Sequence, residues 1–434
     1  MKLYMQSLGC AKNQVDSEML LGALKENVTL VAEPQDAELI LLNTCAFIEP
    51  ARVEAIDTIL ELAEYKKENH SKLVVCGCLP VRYNDLGKLL PEVDRFVTIA
   101  EYGQIGDIIN HVMQSNFKYQ NEYSPLNRIY STPPYMRYIK ISDGCMNRCA
   151  FCAIPLIRGK LKSRTIEDIV SEVSKEVASG VYEINLVSQD TTKYGYDLYH
   201  RLALVDLLKE LVKIEGDFKI RLLYLYPEIV TDELIELIKT ESKIMKYFDI
   251  PIQHSEDKML KAMLRRSNKE MIIDLLKKIK NEIPTATFRT TLMVGFPFEE
   301  EEDVDQMISF IKEIRFDHLG AFTFSLEENT PACKYPNVIS EEVKQKRYER
   351  LMKAQEKIAL ELKEKQIGKI FEDVFIIGYE EESFLYVARS EAFAPDEIDG
   401  CIYVAAKEEL KLGQRIKVRI VDADAYTLTG EQVE

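Results

Sequence analysis

The sequence lacks, or has little of, several features that mark common classes of protein, and each absence disfavours one of those classes. It contains no tryptophan and only five histidines in 434 residues, which disfavours chemistry built on a histidine base. It has no run of about 18 apolar residues, so a typical transmembrane helix is excluded. The N-terminal residues MKLYMQSLGC lack the apolar core of a secretion signal. We therefore expect a cytoplasmic protein that has no membrane partner.

Basic residues are also in deficit. The chain has 56 lysines and arginines against 72 aspartates and glutamates, a formal net charge of −16. Such a surface argues against broad, non-specific binding to nucleic acid and suits a basic partner, although acidity can serve solubility alone. With 46% hydrophobic and 29% charged residues, the composition is that of an ordinary globular protein. The length predicts about three domains.

The first part of the chain, residues 1–117, alternates strand-like and helical patterns. This alternation predicts a doubly wound domain, in which helices cover both faces of a parallel sheet. The predicted strands are Leu3–Ser7, Glu38–Asn43, Lys72–Cys76 and Arg95–Ile99. Residues 118–136 contain three prolines and little helical periodicity, which indicates a linker.

The middle part, residues 137–366, repeats a strand–helix unit six times and ends in a long helix. Six parallel units are too few for a closed eight-fold barrel, so we predict an open six-unit βα barrel. In one helix, Thr165 and Asp168 form a capping signature, and Gly180 follows the end. The predicted strands are Arg137–Ser142, Tyr182–Val187, Lys219–Leu225, Tyr247–Ile252, Thr287–Val294 and His318–Ser325. The last part, residues 367–434, has short β-rich runs that indicate a small β-barrel.

The most specific signal is a group of three cysteines, Cys145, Cys149 and Cys152, which we call the first cysteine group. They directly follow the first barrel strand and therefore lie at the C-terminal face, where such barrels place their active sites. Three soft thiolates this close together favour an iron–sulfur cluster that keeps one iron open for another ligand. Buried thiols in a tight turn and a zinc site are the alternatives, although structural zinc normally takes four protein ligands.

A second cysteine group, Cys10, Cys45 and Cys78, is spread along the N-terminal domain. Each of the three follows a strand, and the carboxyl ends of parallel strands share one edge of the sheet. The three thiols are therefore predicted to converge on a metal or cluster site. Cys76 could replace Cys78 as a ligand, but it lies within an apolar strand, so we predict that it is buried.

Other polar and aromatic residues lie near the same predicted face. Gln189 and Asp190 follow the second barrel strand, and Gln253 follows the fourth, so these residues are predicted to line a cofactor site. A helix-capping turn is the alternative for Gln189 and Asp190. For the loop that carries Arg158, Lys160 and Arg164, we favour a solvated basic loop over contacts with a cofactor or substrate.

Several motifs resemble one known family. DGCMNRCAFCAIP resembles the cluster loop of radical S-adenosylmethionine enzymes. GCAKNQVDSE, LNTCAF, VCGCLP, CAIPLIRGKLKSR, DIPIQHSEDKMLKAM, RTTLMVGFP and SLEENTP, in order along the whole chain, resemble the methylthiotransferases of that superfamily. GCAKNQVDSE, SQDTTKYG and RLLYLYP are among the motifs that resemble the members acting on a ribosomal protein rather than on tRNA. Phe298 and Asn329 stand where these enzymes usually have glycine. The tail resembles a TRAM domain.

The resemblance implies a specific chemistry. The first cysteine group would hold a [4Fe–4S] cluster whose open iron binds S-adenosylmethionine, with Phe151 against the adenine. An electron from a donor such as flavodoxin or ferredoxin would release a 5′-deoxyadenosyl radical, which takes a hydrogen from the β-carbon of an aspartate. The second cysteine group would hold a second [4Fe–4S] cluster carrying the sulfur to be inserted, and a further S-adenosylmethionine would methylate that sulfur. The substrate would be a small-subunit ribosomal protein, the twelfth, alone or in the assembled subunit. Apart from the resemblance, a monomer is the default expectation for the oligomeric state.

Three other functions remain open on the sequence. The nearest keeps the chemistry and changes the substrate to an adenosine of tRNA. However, an RNA-binding tail should be basic, whereas residues 368–434 contain seven basic and fifteen acidic residues, a net charge of −8. A non-catalytic iron–sulfur redox protein would not need an open iron or a barrel large enough for a cofactor. A ribosome-assembly factor would not depend on the first cysteine group.

Overall fold

The computed structural model describes residues 1–336 and 338–433. Three units follow one another along the chain: a parallel sheet flanked by helices, an open barrel of strand–helix units and a small closed β-barrel. This agrees with the predicted fold class. Among the helices of the described residues, none combines the length and the apolar character needed to span a membrane.

The N-terminal sheet is entirely parallel, with the strand order β2-β1-β3-β4-β5. Its central strand, LILLNT, is buried along its whole length because helices cover both faces of the sheet. The strands are β1 (Lys2–Ser7), β2 (Thr29–Leu30), β3 (Leu39–Thr44), β4 (Lys72–Gly77) and β5 (Arg95–Val97). The helices are α1 (Ala11–Leu24), α2 (Glu49–Asn69), α3 (Cys78–Arg82), α4 (Leu86–Leu89) and α5 (Ile105–Met113). The sequence did not indicate β2, which has only two residues and no apolar alternation.

The middle unit has six parallel strands in two sheets, β6-β9-β10 and β11-β12-β13, which adjoin between β10 and β11. This confirms the open six-unit barrel. Its strands are β6 (Met136–Lys140), β9 (Glu183–Val187), β10 (Lys219–Leu222), β11 (Tyr247–Asp249), β12 (Thr287–Val294) and β13 (His318–Thr323); β7 (Ser142–Asp143) and β8 (Lys162–Ser163) form a separate pair. The helices are α6 (Ile154–Ile157), α7 (Ile166–Ala178), α8 (Tyr196–Tyr199), α9 (Leu204–Leu211), α10 (Asp232–Thr240), α11 (Asp257–Ala262), α12 (Lys269–Glu282), α13 (Glu301–Ile314) and α14 (Glu341–Glu364).

Helix α7 begins as its sequence predicts, with one difference. The Thr165 hydroxyl accepts a hydrogen bond from the Asp168 backbone N–H at 3.2 Å, which caps the helix. The Asp168 carboxylate does not return to the backbone of Thr165, because it accepts a hydrogen bond from Arg164 at 2.6 Å. Of the two hydrogen bonds in a reciprocal capping box, only the one from the Asp168 N–H to the Thr165 hydroxyl is therefore present.

The interior of the open barrel is filled by the other two units. Val15 and Met19 of α1 pack against barrel residues that include Met136 and Tyr138, and Ala394 of the C-terminal unit joins the same apolar cluster. Helix α1 thus belongs to both the N-terminal layer and the barrel interior. Because Cys10 immediately precedes α1, this packing holds the second cysteine group beside the barrel.

The C-terminal unit is a closed barrel with the strand order β14-β15-β16-β18-β17. Its strands are β14 (Ile370–Glu380), β15 (Leu385–Arg389), β16 (Ile402–Ala405), β17 (Arg415–Ala423) and β18 (Leu428–Val433). The sequence did not indicate β18, whose residues LTGEQV are mostly polar. The unit docks on the open barrel through the buried Glu183 carboxylate, which pairs with Arg221 at 2.9 Å and with Arg389 of the C-terminal barrel.

We expect Glu183→Gln to lower the free energy of unfolding by about 3–5 kcal/mol at pH 7, because it leaves two buried guanidinium groups without a carboxylate. Burial alone would raise the pKa of Glu183, but Arg389 and Arg221 lower it below its usual value of 4.5. The contribution of Glu183 is therefore present above about pH 4.5 and is lost as the pH falls through the lower folded-state pKa. Urea unfolding of the variant and of the unmodified protein, at pH 7 and again below pH 4.5, measures the difference in their free energies of unfolding.

The control for this prediction is Glu233→Gln, because Glu233 pairs with Lys209 on the surface at 2.7 Å. Its removal should change the free energy of unfolding by less than about 1 kcal/mol. Equal losses in the two variants would contradict the role assigned to Glu183.

Candidate cluster and cofactor site

The first cysteine group lies in a loop that follows β6, at the C-terminal face of the open barrel. Gly144 precedes Cys145 with φ 73°, and a Cβ atom there would lie 2.2 Å from the Lys160 carbonyl oxygen. The Cys145 N–H donates to the carbonyl of Gly159 at 3.1 Å. Glycine at 144 therefore lets the cysteine loop run directly against residues 159–160.

Polar donors surround the thiols of this group. The Asn147 backbone N–H donates to Cys145 Sγ at 3.4 Å, and Arg265 Nη1 donates to Cys149 Sγ at 3.9 Å. The Tyr226 hydroxyl lies 4.0 Å from the same Cys149 sulfur, and the Arg265 guanidinium stacks over the Tyr226 ring at 4.2 Å. Hydrogen-bond donors and a positive charge stabilise thiolate sulfur, so this pocket favours sulfur that carries negative charge.

Burial makes two thiols of the first cysteine group harder to ionise. Burial raises the pKa of the Cys145 thiol to about 11 and raises that of Cys152 above its usual value. Both are therefore protonated at neutral pH as free thiols, and binding of a cluster would release their protons. Within residues 1–336 and 338–433, no three His, Cys, Asp or Glu side chains are arranged to hold one metal ion.

Two of the residues predicted to line a cofactor site carry unused polar atoms. Gln189 donates through Nε2 to Asp143 at 3.0 Å, and in the described part of the chain its buried Oε1 has no hydrogen-bond partner. The buried Oε1 of Gln253 has no partner there either, and this residue is held at φ 73°. Buried polar atoms normally have partners, and strained backbone occurs preferentially at functional sites. Both glutamines are thus available to a polar ligand.

The structure places Asp190 and Phe151 in local roles. The Asp190 carboxylate caps the turn at residues 191–193, accepting from the Lys193 N–H at 3.1 Å, and it accepts from Asn147 Nδ2 at 2.7 Å. It also lines a small cavity beside the first cysteine group. The half-buried Phe151 packs edge-to-face on Phe296, with ring centroids 6.4 Å apart. Both lie near the cysteine loop, but their contacts are those of a capping turn and an aromatic core.

The second cysteine group lies at the carboxyl edge of the N-terminal sheet. Cys10 precedes α1, Cys45 follows β3, and Cys78 begins α3. The Cys45 sulfur would lie 3.0 Å from a Cβ atom at Gly9, next to Cys10. Negative charge on Cys78 or Cys10 opposes ionisation of Cys45 and contributes to its raised pKa. Cys76 is fully buried in β4 and packs in the cluster on the opposite face of the sheet from Cys78.

The thiols of this group differ in their tendency to ionise. Burial, with Cys78 nearby, raises the pKa of Cys45 to about 12. At Cys10 the protein environment also opposes ionisation, but Lys12 and the Asn13 N–H outweigh this effect and lower the pKa. A helix N-terminus and a cation both stabilise a thiolate. Cys10 is therefore the member of the group that most readily supplies a thiolate ligand.

Arg158 connects the two cysteine groups. Its guanidinium pairs with Asp16 at 2.6 Å and with Asp143 at 3.1 Å, and it donates to Cys78 Sγ at 3.7 Å. Asp143 directly precedes Gly144 and the first cysteine group, and Asp16 belongs to α1 of the N-terminal unit. Burial alone would lower the pKa of Arg158, but its carboxylate partners hold it far above its usual value. Arg158 thus joins the second cysteine group to Asp143, two residues before Cys145 of the first group.

The expectation of a solvated basic loop is wrong for two of its three residues. The Arg158 side chain is 2% exposed, and Arg164 is bound to Asp168 at 2.6 Å and to Glu172 at 2.5 Å. Only Lys160 is exposed. The sequence did not indicate the pair of Arg158 with Asp16, because these two residues are 142 positions apart in the chain, whereas both partners of Arg164 lie nearby on α7.

Comparisons with known proteins agree with this geometry. Residues 2–98 match the uncharacterized protein family UPF0004, residues 139–311 the radical SAM superfamily, and residues 367–433 the TRAM domain. The ribosomal protein uS12 methylthiotransferase RimO of Clostridioides difficile is 43% identical, covering 99% of this chain and 98% of its own. The chain belongs to the uS12 methylthiotransferase family. The member from Caldicellulosiruptor saccharolyticus is 44% identical, with 98% of each chain covered.

Solved structures share the fold of this family member. The radical S-adenosylmethionine methyltransferase TsrM from Kitasatospora setae matches with a TM-score of 0.57 at 13% identity, covering 76% of this chain and 73% of its own. The radical enzyme OxsB matches with a TM-score of 0.51, covering 82% of this chain and 56% of its own. Membership of the radical SAM superfamily implies a [4Fe–4S] cluster and S-adenosylmethionine. The thiols, amides and arginine described above fit these groups.

Sequence reasoning missed four residues of the site. Lys12 and Tyr224 lie next to the second cysteine group, and Tyr226 and Arg265 lie next to the first. Lys12 and both tyrosines belong to the motifs GCAKNQVDSE and RLLYLYP, which resemble the members that act on a ribosomal protein. Their membership of these motifs could have indicated Lys12, Tyr224 and Tyr226 as site residues. No feature of the sequence indicated Arg265.

Proposed function

We propose that this enzyme transfers a methylthio group to the β-carbon of an aspartate in ribosomal protein uS12. The observation that supports this most strongly is that Arg158 joins the second cysteine group to the segment that carries the first. Both groups lie at carboxyl ends of parallel strands, and the buried Arg158 guanidinium donates to Cys78 Sγ and pairs with Asp143, two residues before Cys145. A reaction that breaks a C–H bond and then inserts sulfur needs two such sites close together.

In this proposal the chain's residues hold and shield the reactants. Cys145, Cys149 and Cys152 bind a [4Fe–4S] cluster, which together with S-adenosylmethionine supplies the radical chemistry that no side chain can perform. Arg265 and the Asn147 N–H stabilise negative charge on the sulfurs. The free amide oxygens of Gln189 and Gln253 bind polar groups of the S-adenosylmethionine molecule.

The second cysteine group, Cys10, Cys45 and Cys78, binds a second [4Fe–4S] cluster in this proposal. The three thiols come from the ends of β1, β3 and β4, so the sheet fixes their mutual positions. Arg158 and Asn13 form the polar boundary of this site toward the barrel, through contacts with Cys78 at 3.7 Å. Cys76 takes no part, because its side chain points into the opposite apolar layer.

The acidic C-terminal barrel supports a basic protein as the partner. The turn between β14 and β15 carries Glu380, Glu381 and Glu382 beside Phe384, which is 77% exposed. Tyr379, half exposed, lies next to this turn. An acidic surface with exposed aromatic rings fits a basic polypeptide, whereas an RNA backbone requires cations.

The test offers two substrates side by side to the anaerobically reconstituted enzyme with reductant, sulfide and S-adenosylmethionine. One is a peptide of the uS12 loop that contains the target aspartate, and the other is a tRNA anticodon stem-loop. Mass spectrometry should detect a methylthio gain on the peptide alone. A methylthio gain on the RNA alone would contradict uS12 as the substrate but remain consistent with the radical chemistry. Absence of 5′-deoxyadenosine would contradict the radical chemistry itself.

The remaining partners follow from the same chemistry. Reductive cleavage needs single electrons, so we propose a low-potential donor such as flavodoxin or ferredoxin. We propose that the enzyme acts in the cytoplasm as a monomer on uS12, either free or in the assembled small subunit.

A further inference from the structure

A lysine next to the second cysteine group contacts the barrel and has no carboxylate partner among the described residues. Lys12 is in the first turn of α1, two residues after Cys10, and is only 8% exposed. Its ammonium group lies 3.8 Å from the centroid of the Tyr224 ring. Within residues 1–336 and 338–433 it forms no salt bridge.

Other buried lysines of the site are neutralised or hydrogen-bonded. Lys140 pairs with Asp16, and Lys193 donates to Asn147 Oδ1 at 2.7 Å. A cation–π contact replaces only part of the hydration that a largely buried ammonium group loses. Since no carboxylate of the described residues neutralises Lys12, its ammonium group can bind an anion from outside the chain.

Lys12 lies where the N-terminal unit meets the end of the barrel strand β10. It follows Cys10 of the second cysteine group by two residues in the chain. Its partner Tyr224 lies two residues before Tyr226, whose hydroxyl is 4.0 Å from Cys149 Sγ of the first group. The ammonium group therefore contacts the loop that also serves the first cysteine group, at the face of the barrel where the proposed reaction takes place.

The contact with Lys12 is built on a strained residue. Tyr224 has φ 61°, which is unfavourable for a side chain of its size. Its N–H donates to Asp249 at 2.8 Å and its carbonyl accepts from the Thr191 N–H at 3.1 Å. These two hydrogen bonds stabilise the unfavourable backbone conformation of Tyr224. Strain maintained in this way at a barrel mouth is typical of a functional position.

We infer that Lys12 binds the carboxylate of the aspartate that is modified, and that it thereby selects an acidic side chain as substrate. This inference rests on the proposed function. A carboxylate attached to the reacting β-carbon would form a charge-assisted hydrogen bond with the buried ammonium. A neutral adenine offers no such partner. The motifs that contain Lys12 and Tyr224 are two of those that resemble the protein-modifying members, and the fold brings them into contact.

The test compares Lys12→Met with the unmodified enzyme on two uS12 loop peptides, one with the target aspartate and one with asparagine in its place. Loss of a buried charge-assisted hydrogen bond should lower kcat/KM for the aspartate peptide about 10- to 100-fold. The asparagine peptide should change little, so the preference for aspartate should collapse. Lys12→Arg should retain part of the preference.

Peptide binding gives a readout that does not depend on turnover. Fluorescence anisotropy on the holoenzyme without reductant should show weaker binding of the aspartate peptide to the Lys12→Met variant, and no change for the asparagine peptide. Lys363→Met is the matched control, because Lys363 is 6% exposed, lies 5.2 Å from the Phe393 ring and forms no salt bridge within the described residues. It should keep the preference.

An unchanged preference in Lys12→Met would overturn the inference while leaving the proposed function intact. Should that variant fail to fold, the unmodified enzyme decides: equal binding and turnover of the two peptides would overturn the role of Lys12, and a strong preference for aspartate would support it. An unmodified enzyme that modifies neither peptide but does modify the RNA would overturn the proposed function.

Discussion

Replacing Cys149 by alanine is expected to abolish formation of 5′-deoxyadenosine and to remove one of the two proposed clusters. The reason is that this [4Fe–4S] cluster keeps one iron open for S-adenosylmethionine, so the three thiols of the first cysteine group are its whole protein ligand set. Cys149 also makes the contacts with Arg265 and Tyr226, which lose their partner in the variant. Iron and sulfide content after anaerobic reconstitution should fall to about half, and 5′-deoxyadenosine should be undetectable by mass spectrometry.

The matched control is Cys333→Ala, because Cys333 is exposed and lies outside both cysteine groups. It should retain the full iron content and the full yield of 5′-deoxyadenosine. The prediction also separates the enzyme from a ribosome-assembly factor, whose function would survive the loss of Cys149. Full iron and undiminished cleavage in Cys149→Ala would refute the ligand assignment.

Replacing Arg158 by methionine is expected to lower the free energy of unfolding by about 3 kcal/mol. Arg158 is a buried bridge between Asp16 of α1 and Asp143 of the barrel, and its removal leaves Lys140 as their one cationic partner among the described residues. The variant should also loosen the N-terminal unit from the barrel. Urea unfolding of the protein without clusters measures the first effect, and limited proteolysis measures the second.

Lys160→Met is the control for this prediction, because Lys160 lies in the same loop, carries the same charge and is exposed. Its effect on the free energy of unfolding should be within about 0.5 kcal/mol. Burial alone would raise the pKa of Asp143, but Lys140 and Arg158 hold it well below its usual range. The stabilisation is therefore complete above about pH 4 and is lost as the pH falls through the lower folded-state pKa of Asp143. Equal stability of Arg158→Met and Lys160→Met at pH 7 would contradict the bridge.

Side-chain periodicity and capping signatures predicted most of the helices and strands. They did not predict strands that are very short or mostly polar. Thr165 caps α7 as predicted, because a capping signature acts within one turn of helix. The strands β2 and β18 were missed, since their residues pair with neighbours that the alternation of side chains does not indicate. Phe298 and Asn329 have φ of 75° and 63°, which explains why glycine suits these positions in related enzymes.

The three-unit architecture and the two cysteine groups could be recognised from the amino-acid sequence alone. They follow from periodicity and from the rule that parallel strands end at one edge, both of which are properties of short segments. Packing was needed to reveal that Arg158 is buried against Asp16, Asp143 and Cys78, that Asp190 caps a turn, and that Lys12 contacts Tyr224. Those outcomes depend on which distant carboxylate or ring comes into contact after packing, and charge pairing across units leaves no periodic signal in the chain.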